Sequence, residues 1–445
     1  MEKTSVMDRV AKMSAIVALA ALSGVAGAAG NPVFAGLLEQ AETVYSVVDT
    51  QLRDHPEMLI ERTYDGEGVI TLAKDEVEPG PTLIQGLFPG GAQIRLIDAE
   101  GRELHRWDAD FFRIFPDAEE FIPAHRIPAS KNHYFIQGMA PLRDGSIVLN
   151  FGHLGAARLD RCSQPVWRLR KPAHHAVTAN PDGTYWIPSH KPINETPAIF
   201  LPDGVTKEDV EKRSHHTYFH DTVMLLGADG KVLREFSLME AVYEAGLENA
   251  MFDSARSNFA DLTHLNEIEV VTPELAARID GVEAGDLLLS LRDFHMIVIM
   301  DKDTGKILWN REGPWVMQHD PDIMADGTIE LFNNRPGTYG NRKPGSQIVR
   351  FDPASGKTEK LFPKGQDDYF SSEIMGAHQL LANGNRLITE SMQGRMLEVT
   401  ETGKVVWDYR LPFDDTYSSL ISLGIRLPSD FYEGVDLKCP NANFS

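Results

Sequence analysis

Two short sequence patterns alternate along most of the chain, and this repetition limits the possible folds more than any other feature. The first pattern is a polar turn, usually with glycine, that leads into a run of β-forming residues. Its six copies lie at 98–107, 160–167, 228–236, 301–309, 352–361 and 400–407. Each copy predicts a hairpin turn before the last strand of a repeating unit.

The second pattern is a turn between earlier strands, and it precedes five of these copies. Four examples carry Asp-Gly or Asn-Gly and one carries Gly-Asp; they lie at 142–149, 180–187, 284–291, 324–331 and 381–388. The run 82–88 has no such turn before it, so the first unit is predicted to be incomplete at its start. Six units of short antiparallel strands predict an all-β fold, a six-bladed β-propeller. A two-domain β-sandwich is the alternative, and it does not explain the alternation.

The composition excludes several classes of protein. A hydrophobic fraction of 42% over 445 residues excludes a disordered chain and allows one large core. Two cysteines exclude a disulfide-dense scaffold and a four-cysteine metal site. A formal net charge of −22 argues against nucleic acid as a partner, because phosphate binding needs a basic face.

The N-terminus predicts an export segment. A basic stretch, Met1–Lys12, precedes Met13–Leu38, which contains no charged residue. This pattern favours a cleaved secretory signal, with an uncleaved membrane anchor as the open alternative. Both place the folded part outside the cytoplasmic membrane, in the periplasm of a Gram-negative cell. The predicted division is a signal peptide or anchor at 1–35, a linker with a short helix at 36–80, the propeller at 81–430 and a tail at 431–445.

The turns of the second pattern give a common register for the strand that lines the central channel of each blade. Counting eight residues back from the turn glycine reaches His319, His175, Gln137 and Gly376 in four units. His378 lies two positions after Gly376 and therefore shares its face of the strand. Histidines of different units are thus predicted to meet at one depth of the channel.

The fourth unit adds further polar residues at this depth. His264 and Asn266 share one face at the start of its inner strand, and Arg292 ends the next strand. A histidine cluster suits either a metal site or the transfer of an anionic group. Arg292 favours group transfer, because a guanidinium binds an oxyanion and repels a divalent metal. The prediction is therefore a site without a metal.

The motifs, taken in this order, resemble those of the bacterial arylsulfate sulfotransferases. The resemblance covers roughly residues 85–410 and is carried by 263–266, 287–293, 299–309, 318–320, 329–334 and 376–385. It implies a six-bladed propeller that moves a sulfuryl group from an aryl sulfate to a phenol without adenosine-phosphosulfate. No cofactor is then needed, and the partners are the small-molecule aryl sulfate and phenol.

The resemblance also implies roles for four residues. His319, in its Gln-His motif, matches the histidine that is transiently sulfated. His264 and Asn266 match the His-x-Asn pair of the family, and Arg292 matches its sulfate-binding arginine. In this scheme neutral His319 attacks the sulfur, and His264 protonates the leaving phenolate and later deprotonates the acceptor.

Three further histidines complete the predicted site. His175 matches a channel histidine of the family, with its neighbour His174 as the alternative. His174 and His378 are expected to bind substrate. Asp320 follows His319 directly, and it is expected to raise the pKa of that histidine if it points inward.

Several alternatives stay open at the level of sequence. The chain could be a propeller binding protein without turnover, or a metal-dependent propeller hydrolase; the segment with His216 and His220 favours a rim loop over a metal site. Cys162 and Cys439 either pair or remain separate thiols. The N-terminal β-domain of the family has no counterpart, since 36–80 is predicted to be helical. Membrane anchoring and a homo-oligomeric state are both compatible with the sequence.

Overall fold

The computed structural model of the protein describes residues 55–56, 58–201, 206–208, 218–258, 260–338, 344–365 and 368–439. The predicted export segment and almost all of the predicted helix after it lie outside these residues. The chain divides into two compact units, and the second, Met58–Ser445, contains all of the described strands. In the part of the chain that is described, no helix has the length and apolar character needed to cross a membrane.

The described residues form strands β1 to β25, arranged in six antiparallel sheets. The first three sheets comprise β2 (Thr82–Phe88), β3 (Gly91–Ile97), β4 (Glu103–Asp108) and β25 (Ile421–Arg426); β5 (Ile136–Pro141), β6 (Ile147–Phe151), β7 (Gly155–Leu159) and β8 (Pro165–Leu169); and β9 (Thr178–Ala179), β10 (Tyr185–Lys191), β11 (His220–Leu226) and β12 (Val232–Ser237).

The other three sheets continue along the chain, and the last of them also includes β1. They comprise β13 (Leu265–Val270), β14 (Leu287–Leu291), β15 (Met296–Met300) and β16 (Ile307–Glu312); β17 (His319–Ile323), β18 (Ile329–Asn333), β19 (Gln347–Phe351) and β20 (Thr358–Phe362); and β21 (Ala377–Leu380), β22 (Arg386–Glu390), β23 (Arg395–Val399), β24 (Val405–Arg410) and β1 (Gly68–Leu72).

The inner strands of the six sheets form a closed ring. Strands β25, β5, β9, β13, β17 and β21 each contact the inner strand of the next sheet, and β21 contacts β25. The protein is therefore a six-bladed β-propeller, as the sequence predicts. The turns of the first pattern lead into the outer strands β4, β8, β12, β16, β20 and β24, as expected.

Two strands from opposite ends of the propeller segment, β2 and β25, close the ring. β25, from the C-terminal end, pairs with β2 from Thr82↔Arg426 to Gly86↔Ile421 and supplies the inner strand of the first blade. This confirms that the first unit is incomplete at its start. With this strand, each of the six described sheets has at least four strands, and its innermost strand faces the central channel.

The second strand of most blades is the most deeply buried. All residues of β6, β14, β18 and β22 are buried, so their side chains pack between adjacent blades. The glycine of the turn before each strand adopts a positive φ where the pattern is Asp-Gly or Asn-Gly, for example 84° at Gly145 and 75° at Gly327. Only glycine takes this conformation at little cost, which explains its place in the repeat.

Two further features lie outside the repeating pattern. β1 falls in the segment that the sequence assigns to a helical linker, yet it pairs with β24 as a fifth strand. Its β-branched residues Val69, Ile70 and Thr71 favour an extended conformation. Cys162 and Cys439 form a disulfide with their Cα atoms 5.5 Å apart, which ties the tail to the second blade.

Helices are few among the described residues. The α-helices are Phe111–Ile114, Leu238–Glu244, Glu248–Asn258 and Pro273–Ala276, and the 3₁₀ turns are Ala118–Glu120, Ala124–Arg126, Ile193–Glu195, Ala198–Phe200, Arg292–Phe294 and Ser391–Gln393. Asp110, Ser237 and Thr272 cap three of the α-helices by accepting backbone N–H groups. These helices lie in the connections between strands and leave the ring of inner strands intact.

Candidate active site

A cavity of about 740 Å³ lies between the inner strands. Gln137, His175, His319 and Gly376, which the repeat places at one depth, all line it, and so does His378. The sequence register therefore brings residues of four blades to one cavity. Asn266 lines the same cavity, whereas His174, His264 and Arg292 lie outside its lining.

The backbone is strained where the inner strands begin. His175, His264 and Asp320 have positive φ angles of 50°, 47° and 52°, in the left-handed region that residues other than glycine rarely adopt. The pairing of β17 with β18 also shifts register between His319 and Asp322. Such irregularities change the direction of side chains and are common beside active sites.

Asn334 fixes the tautomer of His319. The Nδ2 group of Asn334 donates to the carbonyl oxygens of Ser372 and Met375, so its Oδ1 faces the opposite way. This Oδ1 lies 2.8 Å from Nδ1 of His319 and can only accept, which places the proton on Nδ1. Nε2 therefore carries a free lone pair. Burial and the charge of Arg292 lower the pKa of His319 to about 3, so the ring is neutral at physiological pH.

Asp261 orients His264 in a similar way. Nδ1 of His264 donates to Oδ2 of Asp261, so the proton is again on Nδ1 and Nε2 is free. The ring meets that of His175 edge-on, with the centroids 4.8 Å apart. Burial and the charge of Arg292 lower the pKa of His264 to about 3, and burial raises the pKa of Asp261 to about 6. A neutral histidine paired with a buried carboxylate can act as a general base.

Arg292 stands next to both of these histidines. It follows β14, and its Nε donates to Oδ1 of Asp293 at 2.6 Å, which holds the guanidinium in place. Its charge disfavours the protonated forms of His264 and His319 alike. Arg292 thus supplies a fixed positive charge close to two neutral imidazoles, an arrangement that attracts an anion.

His174 lies behind His175 and sets its tautomer. Nε2 of His174 faces only acceptors, the carbonyl oxygen of Ser189 at 3.4 Å and Oδ1 of Asp221 at 3.5 Å, and so carries the proton. Its Nδ1 then accepts from Nδ1 of His175 at 2.8 Å. His175 is left with an unprotonated Nε2. Burial lowers the pKa of both histidines well below the usual value.

Further histidines continue this chain away from the cavity. Oδ1 of Asp221 lies 3.1 Å from Nδ1 of His190, whose Nε2 lies 2.8 Å from Nδ1 of His153. The rings of His153, His174 and His190 are nearly parallel, with interplanar angles of 10°, 11° and 20°. A metal ion lies in the plane of each histidine that binds it, so stacked parallel rings do not converge on one ion. The cluster is a stack of histidine rings behind His175, in which His153 and His190 share a hydrogen bond.

Asn266 and Gln318 stabilise the start of β17. Nδ2 of Asn266 donates to the carbonyl oxygen of Gln318 at 2.8 Å. Nε2 of Gln318 contacts Oγ of Ser290 and the carbonyl oxygens of Leu291 and Met296. Hydrogen bonds from both sides therefore hold the backbone directly before His319, the candidate nucleophile. Oδ1 of Asn266 is buried, and no described residue forms a hydrogen bond with it.

The expected effect of Asp320 on His319 does not hold. The pKa of His319 is lowered, and Asp320 instead accepts a hydrogen bond from Nδ1 of His378 at 2.8 Å. Burial opposes a charge on His378, but the charge of Asp322, the hydrogen bond to Asp320 and the nearby carboxylate of Glu330 raise its pKa to about 10. The reason is that adjacent residues of a strand point to opposite sides, and the shifted register of β17 turns Asp320 away.

The cavity wall beyond His319 is acidic. Glu267 and Glu269 of β13 and Asp320 and Asp322 of β17 line it. Burial and the charge of Asp320 raise the pKa of Glu269 to about 8 and that of Glu267 well above its usual value. The histidine layer and the acidic wall thus form two chemically different zones of one cavity.

Three residues that position the histidines are not predicted by the sequence patterns: Asp261, Asn334 and Asp221. Asn334 stands in the Leu-Phe-Asn-Asn motif, and Asp261 precedes the His-x-Asn pair by three residues, but nothing in the sequence assigns either a partner. Of the histidine-rich segment, His220 lies in β11 and contacts Oγ of Ser237 at 2.7 Å. His216 lies outside the described residues.

The fold and the site define a class of protein, a six-bladed β-propeller whose channel carries neutral histidines beside a fixed arginine. A sequence model of one family, described as arylsulfotransferase (ASST), matches residues 138–411. The chain therefore belongs to the arylsulfotransferase family. This membership supports aryl sulfotransferase activity in general, and with it a transferase that acts on small aryl substrates.

The chain is similar to several solved structures at low sequence identity. A protein of unknown function from Bacteroides caccae is 12% identical, with 77% of this chain and 99% of that chain covered and a TM-score of 0.46. Virginiamycin B lyase from Staphylococcus aureus is 11% identical over 62% and 70% of the two chains, with a TM-score of 0.35. The WD40 β-propeller domain of Doa1 is 10% identical over 79% and 86%, with a TM-score of 0.41. No curated protein matches the chain significantly in sequence.

Proposed function

We propose that the protein is an arylsulfate sulfotransferase that moves a sulfuryl group from an aryl sulfate to a phenol through a sulfohistidine at His319. The observation that carries this proposal is the pairing of His319 with Asn334, which leaves Nε2 unprotonated beside the cavity. A nucleophilic histidine must be neutral when it attacks, and a pKa lowered to about 3 meets this requirement. No adenosine-phosphosulfate is needed, since the aryl sulfate is itself the donor.

In the first half-reaction, the lone pair on Nε2 of His319 forms a bond to the sulfur of the donor. The bond between sulfur and the aryl oxygen breaks, and its electron pair leaves with the phenolate. Sulfuryl transfer resembles phosphoryl transfer in its loose transition state, with charge on the peripheral oxygens. Arg292 offsets this charge, and the amide of Asn266 donates to one of the oxygens.

His264 moves the proton. An anionic donor beside His264 favours its protonated form, and ionised Asp261 stabilises the resulting imidazolium. His264 then protonates the leaving phenolate. In the second half-reaction, it takes the proton from the acceptor phenol, whose oxygen attacks the sulfur and releases His319 as a neutral ring. His175 and His378 contact the substrates from the other walls of the cavity, and His174 supports His175.

We also propose that the protein works outside the cytoplasmic membrane, in the periplasm of a Gram-negative cell. The apolar segment at the N-terminus favours export, and the Cys162–Cys439 disulfide favours an oxidising compartment. The segment is either cleaved or kept as an anchor. Fractionation of cells before and after washing the membranes at high salt distinguishes the two states.

The decisive experiment is transfer from 4-nitrophenyl sulfate to phenol by the purified protein, followed by mass spectrometry of the trapped enzyme. We expect turnover, and a peptide containing His319 that is heavier by one sulfuryl group when the acceptor is omitted. His319→Ala should abolish both signals. His105→Gln is the matched control, because His105 is a buried histidine on the outer strand β4, hydrogen-bonded to the carbonyl oxygen of Arg161.

Two outcomes would overturn the proposal. Turnover that persists in His319→Ala but stops with a chelator would favour the metal-dependent hydrolase. Absence of turnover with a broad set of phenols, together with measurable binding of aryl sulfates, would favour a binding protein.

A further inference from the structure

The acidic wall of the cavity is not explained by sulfuryl transfer. Glu267 and Glu269 lie two residues apart on β13 and so share one side of that strand, and Asp320 and Asp322 lie two residues apart on β17. All four carboxylates line the cavity that also contains His319. Burial and the charge of Asp320 raise the pKa values of Glu267 and Glu269, so these carboxyl groups ionise readily only if a counterion lies beside them.

The counterion is not a lysine or an arginine. Arg350 and Arg386 lie nearby, but both hold Glu330 in hydrogen bonds of 2.5–3.0 Å. Within the described ranges, no lysine or arginine forms an ion pair with the four wall carboxylates. The basic group that contacts them is His378, through Asp320 and Asp322.

His378 has the geometry of a metal ligand held by a carboxylate. Its side chain is fully buried, and its Nδ1 bonds to Oδ2 of Asp320 at 2.8 Å. Its Nε2 has no hydrogen-bond partner among the described residues, and lies 3.7 Å from Oδ2 of Asp322 and 3.7 Å from Oε2 of Glu330. These separations are too long for hydrogen bonds. Two ligands of a tetrahedral ion with bonds of about 2.0–2.2 Å lie about 3.3–3.6 Å apart, so a small contraction around an ion would suffice.

We propose that His378 and Asp322 bind a divalent transition-metal ion in the wall of the channel. Asp320 is a positioning residue that fixes the ring of His378 through Nδ1, as carboxylates do behind many metal-bound histidines. A mixed imidazole and carboxylate set suits Zn²⁺ or Mn²⁺ better than Mg²⁺ or Ca²⁺.

The ion would have a structural and electrostatic role beside the transfer site. It would offset the charge of the acidic wall and so ease the approach of an anionic aryl sulfate, a consequence that rests on the proposed function. Binding of the ion itself does not, because neither of its ligands forms the bond to sulfur or moves the proton. The two proposals can therefore fail separately.

The test is calorimetric titration of chelator-treated full-length protein with ZnCl₂ and with MnCl₂, in the absence of any aryl sulfate. We expect one saturable site per chain for at least one of the two ions, and an increase in Tm when it is bound. Asp322→Asn should weaken binding at least tenfold, and His378→Gln should do the same. His319→Ala should bind the metal as the wild type does, which separates this site from the transfer site.

A control variant and two contrary results complete the test of metal binding. Asp229→Asn, on an exposed turn, should leave the affinity unchanged. If His378→Gln does not fold, Asp322→Asn alone decides, since Asp322 is partly exposed to the cavity. Absence of saturable binding by both ions would overturn the proposal, and so would unchanged affinity in Asp322→Asn.

Discussion

Replacing Asp261 by asparagine separates the charge of this residue from its place in the structure. Asparagine keeps the shape of the side chain but removes the negative charge beside Nδ1 of His264. A hydrogen bond to a charged group contributes about 1.5–3 kcal/mol, and each 1.36 kcal/mol of activation energy changes the rate tenfold. We therefore expect kcat/KM to fall about 10- to 150-fold above the pKa of Asp261. The loss should be largest with phenols that are poor leaving groups, because they depend most on proton transfer.

The same substitution should make the protein more stable. Burial raises the pKa of Asp261 from 3.8 to about 6, so the folded state favours the protonated carboxyl group. Its stabilising contribution is complete below the unfolded pKa and is lost as the pH rises through about 6. Two pKa units correspond to about 3 kcal/mol, so above this pH Asp261→Asn should increase the free energy of unfolding by up to that amount.

The pH dependence of kcat/KM gives a further check. Since ionised Asp261 supports the protonated form of His264, the wild-type rate should rise with pH through about 6. This limb should be absent in Asp261→Asn and unchanged in the control His105→Gln. The measurements are initial rates across the pH range and urea unfolding above pH 6. A variant that keeps the limb, or that loses stability together with activity, would refute the reasoning.

Three further predictions concern other parts of the site and the fold. Asn334→Ala should lower kcat by about 10- to 100-fold while KM changes little, because His319 loses the acceptor that fixes its tautomer; an unchanged rate in steady-state assays would contradict this role. Arg292→Lys should raise KM for the donor, measured with 4-nitrophenyl sulfate, since an ammonium cannot bind an oxyanion in two places. Cys439→Ser should reduce the unfolding free energy by about 2–5 kcal/mol, and reduction of the wild type by dithiothreitol should reproduce the effect; equal stability of oxidised and reduced protein would contradict it.

The repeat made the fold predictable from sequence. Each polar turn marks a strand end, and short strands joined by such turns form antiparallel meanders. The apolar faces of these meanders can be buried only in a ring or a sandwich. The alternation of two turn types then fixes the number of strands in each blade. The closing strand β25 lacks any such signal, because it follows the last turn and its partner β2 lies more than three hundred residues earlier. Long-range pairing of this kind leaves no local pattern.

Only part of the site can be predicted from the sequence, for the same reason. Counting from the turn glycine reaches His175 and His319 because their distance along one strand is a local quantity. The partners that set their tautomers come from elsewhere: Asn334 contacts His319 from the end of the neighbouring strand, and Asp221 reaches His174 from β11. A hydrogen bond between distant segments depends on the register of the sheet, which the sequence of either segment does not contain. The roles of the site residues therefore remain predictions for the assays above.

Asp320 illustrates why proximity along the chain misleads at a strained strand start. In a regular strand, the residue after the nucleophile would point to the opposite face and have little effect on its pKa. The positive φ of 52° and the shifted register instead turn Asp320 towards β21, where it holds His378. The charge that the sequence places beside His319 thus belongs to the acidic wall, and the histidine stays neutral under the influence of burial and Arg292. The irregular start of β17 thus directs Asp320 to His378 and away from His319.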